Sequence, residues 1–158
     1  MGLKLRFSAR GRSSKDLSGF TDILEQYRIK MSLYGNAGVK KAADMLLKWS
    51  QELVPVDTGE LKRSGKVVKI TNSSSSAKMV YQVQYEALAP WSNSSTGYFN
   101  YAWIQHEDLE LRHPNGGQAK YLEYPYRSNK QLLMDIIKES TKKGLNKWKH
   151  LLQVWLSI

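Results

Sequence analysis

No cysteine occurs in this 158-residue sequence. Disulfide staples, thiolate nucleophiles and zinc–thiolate sites are excluded with it. Long apolar runs are missing too: none approaches the roughly 20 residues that span a bilayer. The opening Met1-Gly-Leu-Lys-Leu-Arg-Phe7 lacks the apolar stretch of a secretory signal. The sequons Asn72-Ser-Ser and Asn93-Ser-Ser are therefore read as ordinary polar sequence. Acidic side chains are the minority, 14 against 24 basic ones, for a formal charge of +10. Such a balance favours anionic partners: DNA, RNA, an anionic membrane, or the acidic surface of another protein.

What is present suits one globular domain. Hydrophobic residues make up 41%, ordinary for a water-soluble fold. A chain this long can bury about two thirds of its unfolded surface without staples. The positive charge gathers at the two ends. Lys4, Arg6, Arg10, Arg12 and Lys15 face only Asp16 in the first twenty residues. Near the other end Arg127, Lys130, Lys138, Lys142, Lys143, Lys147 and Lys149 face Asp135 and Glu139.

Residues 1–18 read as a basic arm. Leu3-Lys-Leu-Arg-Phe7 alternates apolar and basic residues, the pattern of a half-buried strand. The polar Ser8–Ser18 stretch reads as a segment that orders on assembly. Residues 19–158 read as one α+β domain. A first helical piece is expected over Phe20–Leu33, with Thr21 as N-cap and Ile23, Leu24, Tyr27 and Met31 on one stripe. Gly35-Asn36 is expected to break it. In the second piece Val39, Ala42, Ala43, Leu46, Trp49, Ser50 and Leu53 share a face. Pro55 ends that helix, because a residue before proline is pushed out of the α region.

Asp57-Thr58-Gly59-Glu60 has the spacing of a capping box, which predicts a short helical turn over Gly59–Ser64. Two strands are expected next, over Lys66–Thr71 and Met79–Glu86. The polar Asn72–Ser76 would form the tip of a protruding hairpin. Ala87–Gly97 reads as a loop, Tyr98–His106 as a buried strand and Lys120–Tyr124 as another short strand. His113-Pro-Asn-Gly-Gly117 predicts a loop with positive φ. Leu133, Ile136, Ile137, Ser140, Gly144, Trp148, Leu151, Leu152 and Trp155 form a helical stripe, weakened at Gly144. These elements predict a small, mainly antiparallel sheet packed on two principal helices.

Several constellations invite chemistry and do not carry it. His106-Glu107 with His113 hints at a metal, but the histidines are seven apart and spacing supplies no third ligand. Polar contacts at the end of an element explain them better. Gly116-Gly-Gln118 matches the tripeptide of peptide-release factors, yet turn chemistry accounts for the glycines. No nucleophile elbow or phosphate loop occurs. Asp44, Asp57, Glu60 and Glu107 are dispersed, so no carboxylate pair can be argued. Trp91, Tyr98, Phe99, Tyr101 and Trp103 could stack on single-stranded bases. They lie in the charge-balanced middle, which favours core or interface roles instead.

Two stretches resemble one family. Ala42–Leu61 ends in Glu52-Leu-Val-Pro-Val-Asp-Thr-Gly-Glu-Leu61. The second stretch runs Tyr101-Ala-Trp-Ile-Gln-His-Glu107, then His113-Pro-Asn-Gly-Gly-Gln-Ala-Lys-Tyr-Leu122. Both are similar to segments of the minor capsid, head–tail connector (neck) and tail-completion proteins of long-tailed bacteriophages. The likeness covers residues 36–148. It implies a structural virion protein without catalytic, cofactor or metal residues. It implies a ring, six subunits in the usual form with twelve as the alternative, around the channel that DNA traverses. Neighbouring connector or adaptor, tail-tube and terminator proteins would be its partners, and no membrane is involved. It would reside at the neck of the virion, after assembly in the host cytoplasm. Pro55, Asp57, Thr58, Gly59, Glu60, Leu61, Tyr101, Ala102, His106, Glu107, Gly117, Tyr121 and Leu122 are then structural motif residues. The candidate contacts to DNA or to acidic partners are Arg6, Arg10, Arg12, Lys15, Lys142, Lys143 and Lys147. The serine-rich tip at Ser73–Ser76 is expected to reach a neighbour or the channel. A basic nucleic-acid-binding module and a tail-terminator subunit are the competing readings.

Overall fold

The computed structural model describes residues 14–70, 80–90 and 97–156. The expected strand at Leu3–Phe7 and the hairpin tip lie outside the described residues, as do Arg6, Arg10 and Arg12. Two long helices organise the fold: α1 (Ser14–Leu53) and α4 (Glu123–Leu156). Between them come α2 (Glu60–Ser64), β1 (Lys66–Ile70), β2 (Val80–Gln84), β3 (Leu88–Pro90), β4 (Tyr98–Asn100) and α3 (Tyr101–Glu107). The class is α+β, as the sequence predicts, with two principal helices. The strands form two separate antiparallel pairs, β1–β2 and β3–β4, in place of the single small sheet expected from the sequence.

The helix α1 is continuous across Gly35-Asn36, has Thr21 in its interior, and starts inside the expected arm. Packing against α4 outweighs the local helix-breaking tendency. Tyr27 meets Trp148 edge-on at 4.7 Å between ring centres. The Ser140 hydroxyl donates to the Tyr34 carbonyl at 2.8 Å. Gly38 and Gly144 are both buried at this crossing. A Cβ on Gly38 would stand 2.8 Å from Ser140 Cβ, and one on Gly144 would stand 2.5 Å from Tyr34 Cγ. Gly144 is therefore a close-approach residue, and its cost in helix propensity is set against tight packing.

The hairpin of β1 and β2 pairs Lys66 with Gln84 and Ile70 with Val80, and it packs on the C-terminal half of α1. Part of the expected 87–97 loop is β3, which pairs with β4 so that Ala89 faces Phe99. The expected strand at 98–106 is strand only to Asn100 and helix from Tyr101. Asn100 causes the switch. Its side-chain oxygen caps α3 by accepting from the Ala102 amide at 3.1 Å, and it also accepts from the Ala87 amide at 3.0 Å. Nor does Lys120–Tyr124 form a strand: a turn there leads into α4, and Pro125 sits in the first helical turn, where no amide donor is required.

Candidate functional site

The two motif segments, more than forty residues apart in sequence, meet in the core. Val54, Leu61, Ala87, Ala102 and Tyr121 are each 4% exposed or less and form one cluster. Leu53, Tyr85, Tyr101 and Leu122 pack around it. Burying a side chain the size of Val54 or Leu61 stabilises by about 1.5–3 kcal/mol relative to exposure. A row of rings runs through this cluster. His106 stands edge-on to Tyr121 at 4.9 Å, and Tyr121 stands edge-on to Tyr85 at 5.1 Å. The Tyr85 hydroxyl then meets the fully buried Ser50 hydroxyl at 2.5 Å. The Tyr121 hydroxyl donates to the Ala102 carbonyl at 3.0 Å. Burial pushes the phenols of Tyr121 and Tyr85 up, since an anion there would be desolvated; for Tyr85 the bond to Ser50 pulls back.

The glycine loop closes the end of α1. The Gln118 amide donates to the Leu53 carbonyl at 2.9 Å, and the Val56 amide donates to the Gly116 carbonyl at 3.4 Å. The Leu53 carbonyl, orphaned at the helix C-terminus, thereby gains a partner. Gly116 and Gly117 both have φ of 90°, the region that the sequence assigns to them. A Cβ on Gly117 would lie 2.5 Å from Pro55 N, so only glycine fits against the buried proline. The Gly-Gly-Gln tripeptide is exposed, and its backbone is tied to the end of α1.

Asp57-Thr58-Gly59-Glu60 does not form the expected capping box. Gly59 itself is the N-cap of α2, with φ of 77°, and no side chain caps it. Thr58 Oγ1 accepts weakly from the Glu60 amide at 3.3 Å, and the Arg63 amide donates to the Gly59 carbonyl at 3.0 Å. The left-handed glycine turns the chain so that the Asp57 side chain does not cap the Glu60 amide. Asp57 and Glu60 instead face Tyr101 from an open cleft of ≈ 580 Å³. Burial first, and then the neighbouring carboxylates of Glu60 and Asp57, push the Tyr101 phenol up. Gln105 Oε1 and His113 Nε2 line this cleft and are buried without a hydrogen-bond partner among the described residues.

Glu107 joins the motif's polar side. It accepts from His106 Nδ1 at 2.7 Å and pairs with the Lys120 ammonium. The bond to Lys120, then that to His106, holds its carboxyl below the usual carboxylate range. Lys120 adopts φ of 56°, unusual for a residue with a Cβ. Its amide donates to the His106 carbonyl at 2.7 Å, and its ammonium also reaches Glu123 at 3.3 Å. The two histidines are not brought together. His113 lines the cleft, while His106 lines a separate apolar groove of ≈ 480 Å³ between β2 and α4. Among the described residues no three His, Asp or Glu side chains gather as a metal ion would require.

Three of the basic candidates face outward. Lys142, Lys143 and Lys147 are exposed on α4 and have no ion pair among the described residues; Lys15 lies in the first turn of α1. Sequence reasoning missed Asn100, Gly38 and the Tyr85–Ser50 contact. An Asn directly ahead of Tyr101-Ala-Trp-Ile was a legible N-cap signal. Gly38 depends on which helices cross, and the Tyr85–Ser50 contact on how the chain after β2 packs against α1. No helix among the described residues is long and apolar enough to cross a membrane. Comparison with protein-family models, with curated proteins and with solved structures found no match.

Proposed function

We propose that this chain is a structural subunit of a tailed-phage particle, one copy of a ring in the head–tail connector, acting in tail completion and encircling the path of the DNA. One observation carries the reading. Many of the residues that resemble the connector family are spent on each other, as core, helix stop and turn. Val54, Leu61, Ala102 and Tyr121 are buried together, while the motif's glycines and proline close the end of α1. The surface left over suits contact with neighbours. Tyr98, Trp103 and Leu109 are 68%, 70% and 74% exposed, and large aromatic and apolar groups of this kind are enriched at protein interfaces. A minor virion protein of this kind contacts the connector or adaptor above and the tail-tube or terminator protein below.

The test is a count. Purified particles of the phage that encodes the chain should contain it at six or twelve copies, and loss of the gene should leave filled heads and unjoined tails. Joined, infective particles without the chain would overturn the proposal. The exposed Lys142, Lys143 and Lys147 favour a second reading, non-specific binding to DNA. That reading requires affinity that falls steeply with added salt, and a filter-binding titration that finds no binding even at low salt would remove it.

A further inference from the structure

The sheet of β1 and β2 has two strands, a marginal unit by itself, and each strand keeps one edge unpaired among the described residues. The two edges differ in chemistry. Strand β1 carries Lys66 and Lys69, the charges that guard an edge against further pairing. Strand β2, Val80-Tyr-Gln-Val-Gln84, has neither charge nor proline. The apolar groove of ≈ 480 Å³ runs beside β2. It is lined by Val39 and Leu46 of α1, Tyr81 and Val83 of β2, and Leu133 and Met134 of α4, with Glu123 and Lys130 also along it. An unguarded edge over an apolar trough offers a further strand backbone hydrogen bonds and seats for alternate side chains.

The chain itself contains a segment with that chemistry. In Leu3-Lys-Leu-Arg-Phe7 the apolar residues fall on one side of a strand and the basic ones on the other. It cannot serve its own groove. Val39, the groove residue nearest the start of α1, lies 25 residues past Ser14, about 37 Å along the axis. Leu5 is nine residues before Ser14 and reaches about 31 Å even when fully extended, and Phe7 reaches about 24 Å. With α1 continuous, Leu5 and Phe7 fall short of the groove of the same molecule, so the full segment cannot seat there.

We propose that residues 3–7 of one copy add as a third strand to β2 of a neighbouring copy, with Leu3, Leu5 and Phe7 seated in the groove. Lys4 and Arg6 then face solvent on the outer side of the sheet. Each subunit donates one arm and accepts one. Such a contact is heterologous: it closes into a ring or runs on as a filament. The inference deepens the ring reading and rests on it for closure.

The experiment separates donor from acceptor. Leu5→Asp removes an apolar anchor from the arm. Met134→Lys places a charge in the groove at a site already 47% exposed, where the fold tolerates it. Native mass spectrometry of the full chain should show oligomers for the unchanged protein. Each variant alone should lose them with its circular dichroism unchanged. An equimolar mixture should give a one-to-one heterodimer, because one variant can only accept and the other only donate. In a separate mixture, a Leu5→Cys copy and a Met134→Cys copy should cross-link, on a chain with no other cysteine. Oligomers persisting in either single variant would overturn the proposal. So would an unchanged protein that stays monomeric, together with a mixture of the two cysteine variants that gives no cross-link. Neither result touches the ring reading, which stands or falls on the copy number in particles.

Discussion

Replacing glycine by alanine at three helical positions should give opposite signs, and the crossing of α1 and α4 decides which. Helix propensity alone favours alanine by about 0.5–1 kcal/mol at Gly35, Gly38 and Gly144 alike. Their surroundings differ. Nothing lies within 4 Å of a Cβ at Gly35. At Gly38 it would meet Ser140 Cβ at 2.8 Å and the Ile137 backbone at 3.1 Å. At Gly144 it would press into the Tyr34 ring, 2.5 Å from Cγ. Overpacking of this kind costs about 1–3 kcal/mol, more than propensity returns. Gly35→Ala should therefore stabilise by about 0.5–1 kcal/mol, raising Tm by about 2 °C. Gly144→Ala and Gly38→Ala should lose up to about 2 kcal/mol net. Thermal unfolding followed by circular dichroism reads all three. In a Tyr34→Ala background, Gly144→Ala should turn from harmful to helpful, by about 1 kcal/mol relative to that background. If Gly144→Ala stabilises the unchanged background as much as Gly35→Ala does, the helices do not cross there and the reasoning fails.

Other outcomes follow from the motif core. Tyr121→Phe removes the bond to Ala102 and should cost about 1 kcal/mol, whereas Tyr121→Ala also empties the cluster and should cost about 3–5 kcal/mol in urea unfolding. Gly117→Ala should be worse than Gly116→Ala. Both strain a φ of 90°, but only Gly117 presses on Pro55, with nothing within 4 Å of a Cβ at Gly116; equal midpoints would contradict the helix-closing role. Asp57→Ala should change stability by less than about 0.5 kcal/mol, because no cap bond exists to lose; a loss of about 1 kcal/mol would restore the capping box. Glu107→Gln tests the pH dependence. The Glu107 carboxyl is held below its ordinary range, so its contribution is present above that range and disappears as pH falls through the lowered value. The stability difference between the unchanged protein and the Glu107→Gln variant should therefore be largest at neutral pH and vanish in acid, and a difference that grows on acidification would reverse the assignment.

Much of the fold was legible because it depends on local rules. The apolar stripes of α1 and α4, the stop at Pro55, the alternating strands of the hairpin and the positive φ of Gly116 and Gly117 all follow from backbone sterics and periodicity. Those signals need no knowledge of neighbours. The contacts that the motif residues make were not legible, because they join segments distant in sequence.

What tertiary structure decided is everything that depends on a partner distant in sequence. Gly35-Asn36 looks like a break until α4 lies against Gly38. Tyr98–Glu107 carries strand-forming aromatics, yet Asn100, bonded across to Ala87, turns the chain into α3. Asp57-Thr-Gly-Glu60 has the letters of a capping box, but a left-handed Gly59 takes the N-cap itself. Local propensity is worth tenths of a kcal/mol per residue, while one buried contact is worth more than one. Sequence therefore determined the elements wherever no distant contact opposed it. The packing of α1 on α4, and of one motif on the other, determined the rest.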